Sequence, residues 1–418
     1  MPRLLPGLVA MFVAALPTAA ADFPPPDKLP EHEGLPNPLV TFGGKTVSTV
    51  EDWEKVRKPE LKELFQHYMY GHLPPAPTKE AFVVLHEDKQ AFDGKATLRE
   101  IEIRFDLFGK TNPLPIRLLL VLPNARNGPV PVFVGPNFTG NHSFVADTKV
   151  RLPDVWMPNG ADVVKNRATE AGRGRLPNVW DFDQAIAKRC AIATFYCGDV
   201  QPDRPAAKEG MRAILPAGSD TETIATWAWG CMRCVDYLVQ CPEVDKKKIA
   251  VVGHSRLGKT ALLAGAFDDR IAVVMPHQAG CGGTGPSRHD NPKAETVKRI
   301  NTSFPHWFCA NFKEFNDATA KIPFDQNCLV ALCAPRPVLI TCATEDEWSN
   351  PKGQFAVLKA AEPAYKLYGV HGCAATEFPE VNQLVDSRLG YWIRPGKHSM
   401  TPADWTTFLA FGLKWMKS

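Results

Sequence analysis

A chain of 418 residues is long enough to bury a large core, as one big α/β domain or as two medium ones. Hydrophobic residues at 44% and charged residues at 22% are ordinary globular values, which excludes a disordered or fibrous chain. A formal net charge of +3, with no basic run standing out, gives no footing for nucleic-acid binding.

The chain opens on Met1-Pro2-Arg3, an apolar run over 4–17 and then Thr18-Ala19-Ala20-Ala21. A basic start, a short apolar centre and small residues before a cut near Ala21-Asp22 predict a signal peptide over 1–21. The run is short of the ~20 apolar residues of a membrane span. No cysteine follows closely to take a lipid, and no later stretch is long enough to cross a bilayer. The mature protein is expected to be soluble and exported, secreted or periplasmic, with no membrane partner.

Residues 22–80 read as an N-terminal extension packed on the main domain. Its first part, 23–38, is proline-rich and extended. Apolar residues at helical spacing over 52–70, with Gly71 as the stop, predict a helix too short to hold a core alone. Residues 81–418 read as the catalytic domain. Strand periodicity begins with 82–86, 98–105 and 116–123, the middle one alternating charged and apolar as an edge or half-exposed strand should. Short apolar runs at 130–135, 191–196, 249–253, 271–275 and 337–342 follow, separated by helical patterns. That is the signature of a parallel sheet covered on both faces. Antiparallel strands first and parallel strands after predict an α/β-hydrolase fold, a three-layer sandwich with a mostly parallel central sheet.

Eleven cysteines in an exported chain permit disulfides, and the odd count leaves at least one unpaired. Cys231 and Cys234 form C-x-x-C within a long apolar helix pattern. No second C-x-x-C or histidine pair completes a metal site, so they read as buried structural thiols. No metal or cofactor is expected.

The run 248–259 carries the chemistry. A buried strand ends in Gly253-His254-Ser255-Arg256-Leu257-Gly258-Lys259, and a helical pattern follows. Strand, tight turn and helix form the setting of a nucleophile elbow, although G-x-S-x-x-G is one residue longer than the usual spacing. Small flanking residues let strand and helix approach, so the serine can take a strained turn. The same residues would also serve a plain turn with Ser255 as a capping residue. A serine hydroxyl needs a base within reach and a carboxylate to orient that base, which in this fold follow it in the order acid, histidine. Glu345-Asp346-Glu347 stand at the end of the last predicted strand, where the acid is required. His398 lies in the last histidine-bearing loop before the final helix and is preferred as base to His371.

These motifs resemble the glucuronoyl esterases, the fifteenth family of carbohydrate esterases. Gly253-His254-Ser255-Arg256-Leu257-Gly258-Lys259 matches that family's G-x-S-R-x-G-K elbow. Asn137 to His142, Gly280-Cys281-Gly282-Gly283, Glu295-Thr296-Val297, Asn301 to Phe308 and Asp346-Glu347-Trp348 are also similar to its bacterial members. The likeness runs from about Val50 to the C-terminus.

The resemblance implies hydrolysis of esters joining 4-O-methyl-glucuronic acid of glucuronoxylan to lignin alcohols. It implies Ser255, His398 and Asp346 as the triad, Arg256 at the oxyanion, Lys259 and Glu295 on sugar hydroxyls, and Trp348 against the sugar ring. Many members carry a glutamate where this chain reads His277-Gln278-Ala279-Gly280, so the orienting acid falls to Asp346. His254 replaces a cysteine of fungal members, and the disulfide made there is absent. The expected partner is the lignin–carbohydrate ester itself, taken up by a monomer. Two other functions fit the same residues: a general carboxylesterase or acetyl esterase, and a xylan-binding homologue impaired in catalysis by Gln278.

Overall fold

The computed structural model describes residues 23–417 apart from Pro113; the predicted signal peptide lies outside them. The chain is built on one mixed sheet. Its strands are β1 (Lys79–Ala91), β2 (Ala96–Leu107), the two-residue β3 (Lys110–Thr111), β4 (Ile116–Pro123), β5 (Val130–Asn137), β8 (Ala191–Tyr196), β9 (Val244–His254), β10 (Val273–His277), β11 (Val338–Ala343) and β12 (Leu389–Arg394). A small separate hairpin pairs β6 (Val163–Val164) with β7 (Arg167–Ala168). The sheet order is β1-β2-β4-β8-β5-β9-β10-β11-β12, antiparallel as far as β8 and parallel from there to β12. This is the α/β-hydrolase arrangement.

Alternation along the strands sends neighbouring residues to opposite faces. Leu118, Leu120, Val132, Val134, Ile249 and Val251 enter one core, which they share with the helices Thr223–Leu238 and Arg256–Phe267. Leu119, Val121, Phe133, Ala250 and Val252 enter the other, under Trp405 and Phe408 of the last helix, Pro402–Trp415. Two covered faces make three layers.

The N-terminal extension shares the first core. Trp53, Leu61, Phe65, Tyr68 and Tyr70 are all fully buried there. The predicted helix forms with two wide turns, π-helical at Trp53–Arg57 and Gln66–Tyr70, around the α-helix Lys58–Phe65. Pro59 has no N–H to give, and the ladder widens just ahead of it. Gly71, at φ 76°, ends the segment.

The sequence reading needs correction in two places. The edge strand is β1, not the charge-alternating β2, which lies between β1 and β4. Glu100 of β2 is fully buried and accepts from the Arg151 backbone N–H at 3.1 Å, so its charge marks a covered polar contact, not solvent. Burial pushes its carboxyl above the usual range, and the Arg151 bond opposes that rise. The reading also missed β12, six buried residues in parallel register with β11. All eleven cysteines are buried and unpaired; Cys231 and Cys234 are the buried thiols that were expected, and burial pushes both up. Among the described residues no helix is long and apolar enough to cross a membrane.

Gly253 tests the close approach at the end of β9. A β-carbon there would overlap the Leu257 carbonyl oxygen and meet Ala261 at 3.0 Å. Gly253→Ala is expected to cost about 1–3 kcal/mol, the range for overpacking a tight contact. Urea midpoints read this, with Gly43→Ala as the neutral control because a β-carbon at Gly43 meets open space.

Candidate active site

Ser255 follows β9 directly and caps the helix Arg256–Phe267 at φ 59°, ψ −129°. This positive φ is costly for a residue with a β-carbon. It is held by the Ser255 N–H donating to the His277 carbonyl at 2.8 Å and the Gly258 N–H donating to the Ser255 carbonyl at 2.8 Å. At Gly258 a β-carbon would stand 2.9 Å from both the Gly253 and the His277 oxygens. The two glycines give the turn its room.

The seven residues singled out from the sequence, Ser255, Arg256, Lys259, Glu295, Asp346, Trp348 and His398, all line one cleft of about 350 Å3. It opens at the carboxyl ends of the parallel strands, where ligands bind in open α/β sheets. His371, the rival base, is exposed elsewhere.

Asp346 follows β11 and is buried, whereas Glu345 and Glu347 on either side are exposed. Its Oδ2 lies 2.7 Å from His398 Nδ1. A carboxylate only accepts, so Nδ1 carries the proton and Nε2 is left with its lone pair. Burial raises the Asp346 carboxyl, but the hydrogen bonds from His398 and Ser349, with the pull of the imidazole whenever it is protonated, outweigh it and leave the group below the usual range.

The loop that carries His398 is fixed from beneath. Buried Arg394 donates to the carbonyls of Pro395 at 2.9 Å and Ser399 at 2.6 Å, and its Nε bonds Asp404 at 2.9 Å. The His277 imidazole is pushed down by burial and stays neutral. Its Nε2–H donates to the Ser399 carbonyl at 2.8 Å. Gln278, at φ 49°, accepts at one oxygen from the Ser399 N–H at 2.9 Å and from His254 Nε2 at 3.0 Å. The His254 ring then lies 4.5 Å from that of His398. Gln278 therefore holds the loop, while the carboxylate at the imidazole is Asp346.

The other wall is polar and buried. Lys259, 4% exposed, donates to the carbonyls of Ala279 at 2.7 Å and Cys281 at 2.6 Å. Its ammonium is 3.7 Å from Glu295. Burial lowers the Lys259 pKa and raises that of Glu295, and each charge opposes the other's shift. Trp348 is 45% exposed at the rim, with the Arg299 guanidinium 5.4 Å over its ring.

Sequence reasoning missed Asp203. Its Oδ2 pairs with Arg256 Nε at 2.7 Å, and its Oδ1 accepts from Trp307 Nε1 and His306 Nε2, both at 2.8 Å. Phe138 and Trp307 flank the Arg256 guanidinium at 4.6 and 5.6 Å. Its terminal nitrogens have no partner among the described residues. The signal available was position, a carboxylate shortly after the end of β8, at the same end of the sheet as Ser255. Among the described residues no cluster of histidine, cysteine or acidic groups could hold a metal.

Serine, imidazole and carboxylate at the strand ends, beside an arginine with free N–H groups, can carry out acyl transfer. Comparisons with known proteins point the same way. The family profile described as "Glucuronyl esterase, fungi" matches residues 165–369. The chain is 42% identical over 387 residues to Carbohydrate esterase MZ0003 from an unknown prokaryotic organism, covering 90% of this chain and 88% of that protein. A solved structure described as a promiscuous CE15 esterase from the marine bacterial metagenome is 40% identical, with a TM-score of 0.84 over 93% of this chain and 98% of the other. The glucuronoyl esterase from Solibacter usitatus is 34% identical, with a TM-score of 0.84 over 94% and 100%. By this likeness in sequence and fold the chain is a carboxylic ester hydrolase, and it belongs to the glucuronoyl esterases, carbohydrate esterase family 15.

Proposed function

We propose that this protein hydrolyses the ester between the carboxyl group of 4-O-methyl-glucuronic acid on glucuronoxylan and an alcohol of lignin, through an acyl-enzyme on Ser255. One observation carries the reading: the cleft that holds Ser255 and the His398–Asp346 pair also holds the buried Lys259–Glu295 pair. An ester of a small acid makes no use of such a wall. A sugar ring offers hydroxyls that can accept from the ammonium and donate to the carboxylate.

His398 Nε2 takes the Ser255 proton as Oγ attacks the uronate carbonyl, and Asp346 stabilises the imidazolium that results. The terminal N–H groups of Arg256 meet the oxygen that becomes negative, and Asp203 keeps them aimed. The imidazolium then protonates the departing alcohol. Water, activated by the same nitrogen, cleaves the uronyl ester from Ser255. Trp348 supplies an apolar face at the rim.

A 40%-identical relative is described as promiscuous, which favours a broader ester range as the second reading. Turnover of benzyl glucuronate beside para-nitrophenyl acetate separates the two. Strong preference for the glucuronate supports the proposal, and equal or reversed preference overturns the substrate assignment. Asp346 at the imidazole speaks against loss of catalysis through Gln278.

Ser255→Ala is expected to abolish uronate ester hydrolysis with the melting profile unchanged. Residual turnover within about tenfold of wild type, ~1.4 kcal/mol in the barrier, would remove Ser255 as nucleophile. Asp346→Asn is expected to lower kcat by about 10⁴, the loss seen on replacing the aspartate of a serine-protease triad. Steady-state kinetics on methyl glucuronate read this, and near-normal rates would redraw the triad. Lys259→Met should lower kcat/KM on glucuronate esters by about 10²-fold, ~2.7 kcal/mol, and leave para-nitrophenyl acetate within threefold. Equal losses on both esters would make Lys259 a structural cation.

A further inference from the structure

The parallel strands have a second end. The first residues of β9 and the segments leading into β10, β11 and β12 meet at the amino edge of the sheet around an open cleft of about 600 Å3. Six residues of strand separate this edge from the Ser255 cleft by roughly 20 Å. Its walls carry Lys246, Lys247, Arg270, Arg336 and Arg388, with Trp415 beside them and Asp269 as the only carboxylate. Five cations and one acid line the cleft, and the carboxylates directly behind it, Asp236 and Asp268 at Arg270, Asp245 at Lys247 and Asp386 at Trp415, offset part of that charge. The cleft is assembled from four separate segments, and only Lys246 and Lys247, in the run Lys246-Lys247-Lys248, are neighbours in sequence.

Three of these cations are already held in place. Arg336 donates to the carbonyls of Asp268 at 3.0 Å and Ile271 at 2.8 Å and pairs with Asp269 at 3.0 Å. Asp269 is also shared with Lys58 at 3.3 Å. Arg388 donates to the Pro335 carbonyl at 3.0 Å and lies 5.3 Å over the Trp415 ring. Arg270 is fixed by Asp236 and Asp268, both at 2.6 Å, which offset part of its charge. Lys246 and Lys247 are exposed, and Lys247 lies beside Asp245, which accepts from its backbone N–H at 3.1 Å. Fixed guanidiniums lose little freedom when an anion docks, and planar N–H pairs suit carboxylates. Two exposed ammonium groups on flexible stems can follow carboxylates spaced along a chain.

We propose that this cleft is a second, non-catalytic glycan site, which binds free uronate carboxylates of a xylan chain away from the ester being cleaved. The choice of a uronate over other anions rests on the proposed esterase function, whose reaction turns a neutral ester into such a carboxylate. The site holds the acidic polymer against the face opposite the catalytic cleft, and the protein gains a second grip on its substrate.

Affinity electrophoresis of the full mature chain tests this, with de-esterified glucuronoxylan or neutral arabinoxylan in the gel and mobilities taken relative to ligand-free gels. Glucuronoxylan alone should retard the wild type. In Lys246→Glu/Lys247→Glu the apparent affinity should fall about tenfold, the effect of reversing two exposed charges. Hydrolysis of methyl glucuronate should stay within twofold. Equal retardation by arabinoxylan, retardation unchanged in the double variant, or a DNA duplex held more tightly through the same lysines would each overturn the proposal. Lysine-dependent retardation without turnover of methyl glucuronate would leave the cleft standing and remove the esterase reading; turnover without lysine-dependent retardation would do the reverse.

Discussion

The backbone of Ser255 is the constraint on which the rest of the structure depends. A residue with a β-carbon at φ 59°, ψ −129° costs of order 1–3 kcal/mol and persists only where its surroundings over-determine it. Here β9 is held between β5 and β10, and the helix after Ser255 is buried along most of its length. Neither element can rotate to relax the turn. The hydrogen bond from Ser255 N–H to His277 ties the turn to β10, whose next residue, Gln278, holds the loop of His398. Strain at one position and placement of the imidazole are thus parts of one hydrogen-bonded assembly.

The cleft also shows how a fold keeps charge inside without leaving it unpaired. Lys259 faces Glu295, Arg256 faces Asp203, and Arg394 faces Asp404, each pair largely shielded from water. Such pairs add little net stability, because desolvation consumes most of the attraction. Their value lies in direction. A paired guanidinium or ammonium has one orientation, and a site that must meet a developing negative charge needs donors already aimed.

Much of this was legible in the sequence. Apolar runs gave the parallel strands β5, β8, β10 and β11 to within about two residues, because strands covered on both faces have few polar positions to blur them. By contrast, β9 starts five residues before its apolar run, at Val244, across the charged stretch Asp245 to Lys248. The strand–serine–helix order placed the turn, and chain order placed Asp346 and His398 on loops beyond later strands. What stayed hidden depends on contacts distant in sequence. Glu100 reads as a solvent-facing charge until the segment bearing Arg151 folds over it. β12 contains Gly390 and ends in Arg394, so its pattern is weak, and only pairing with β11 makes it a strand. Asp203 is one acid among many until Arg256, His306 and Trp307 converge on it.

Asp404 occupies the third position of the last helix, where it closes a capping box with Thr401, and the same carboxylate grips Arg394 beneath the His398 loop. Unwinding the first turn of that helix would therefore also loosen the loop that carries the imidazole. Helix ends open at lower free energy than whole domains. An opening at residues 401–404 would thus cost this protein its chemistry while leaving its sheet paired.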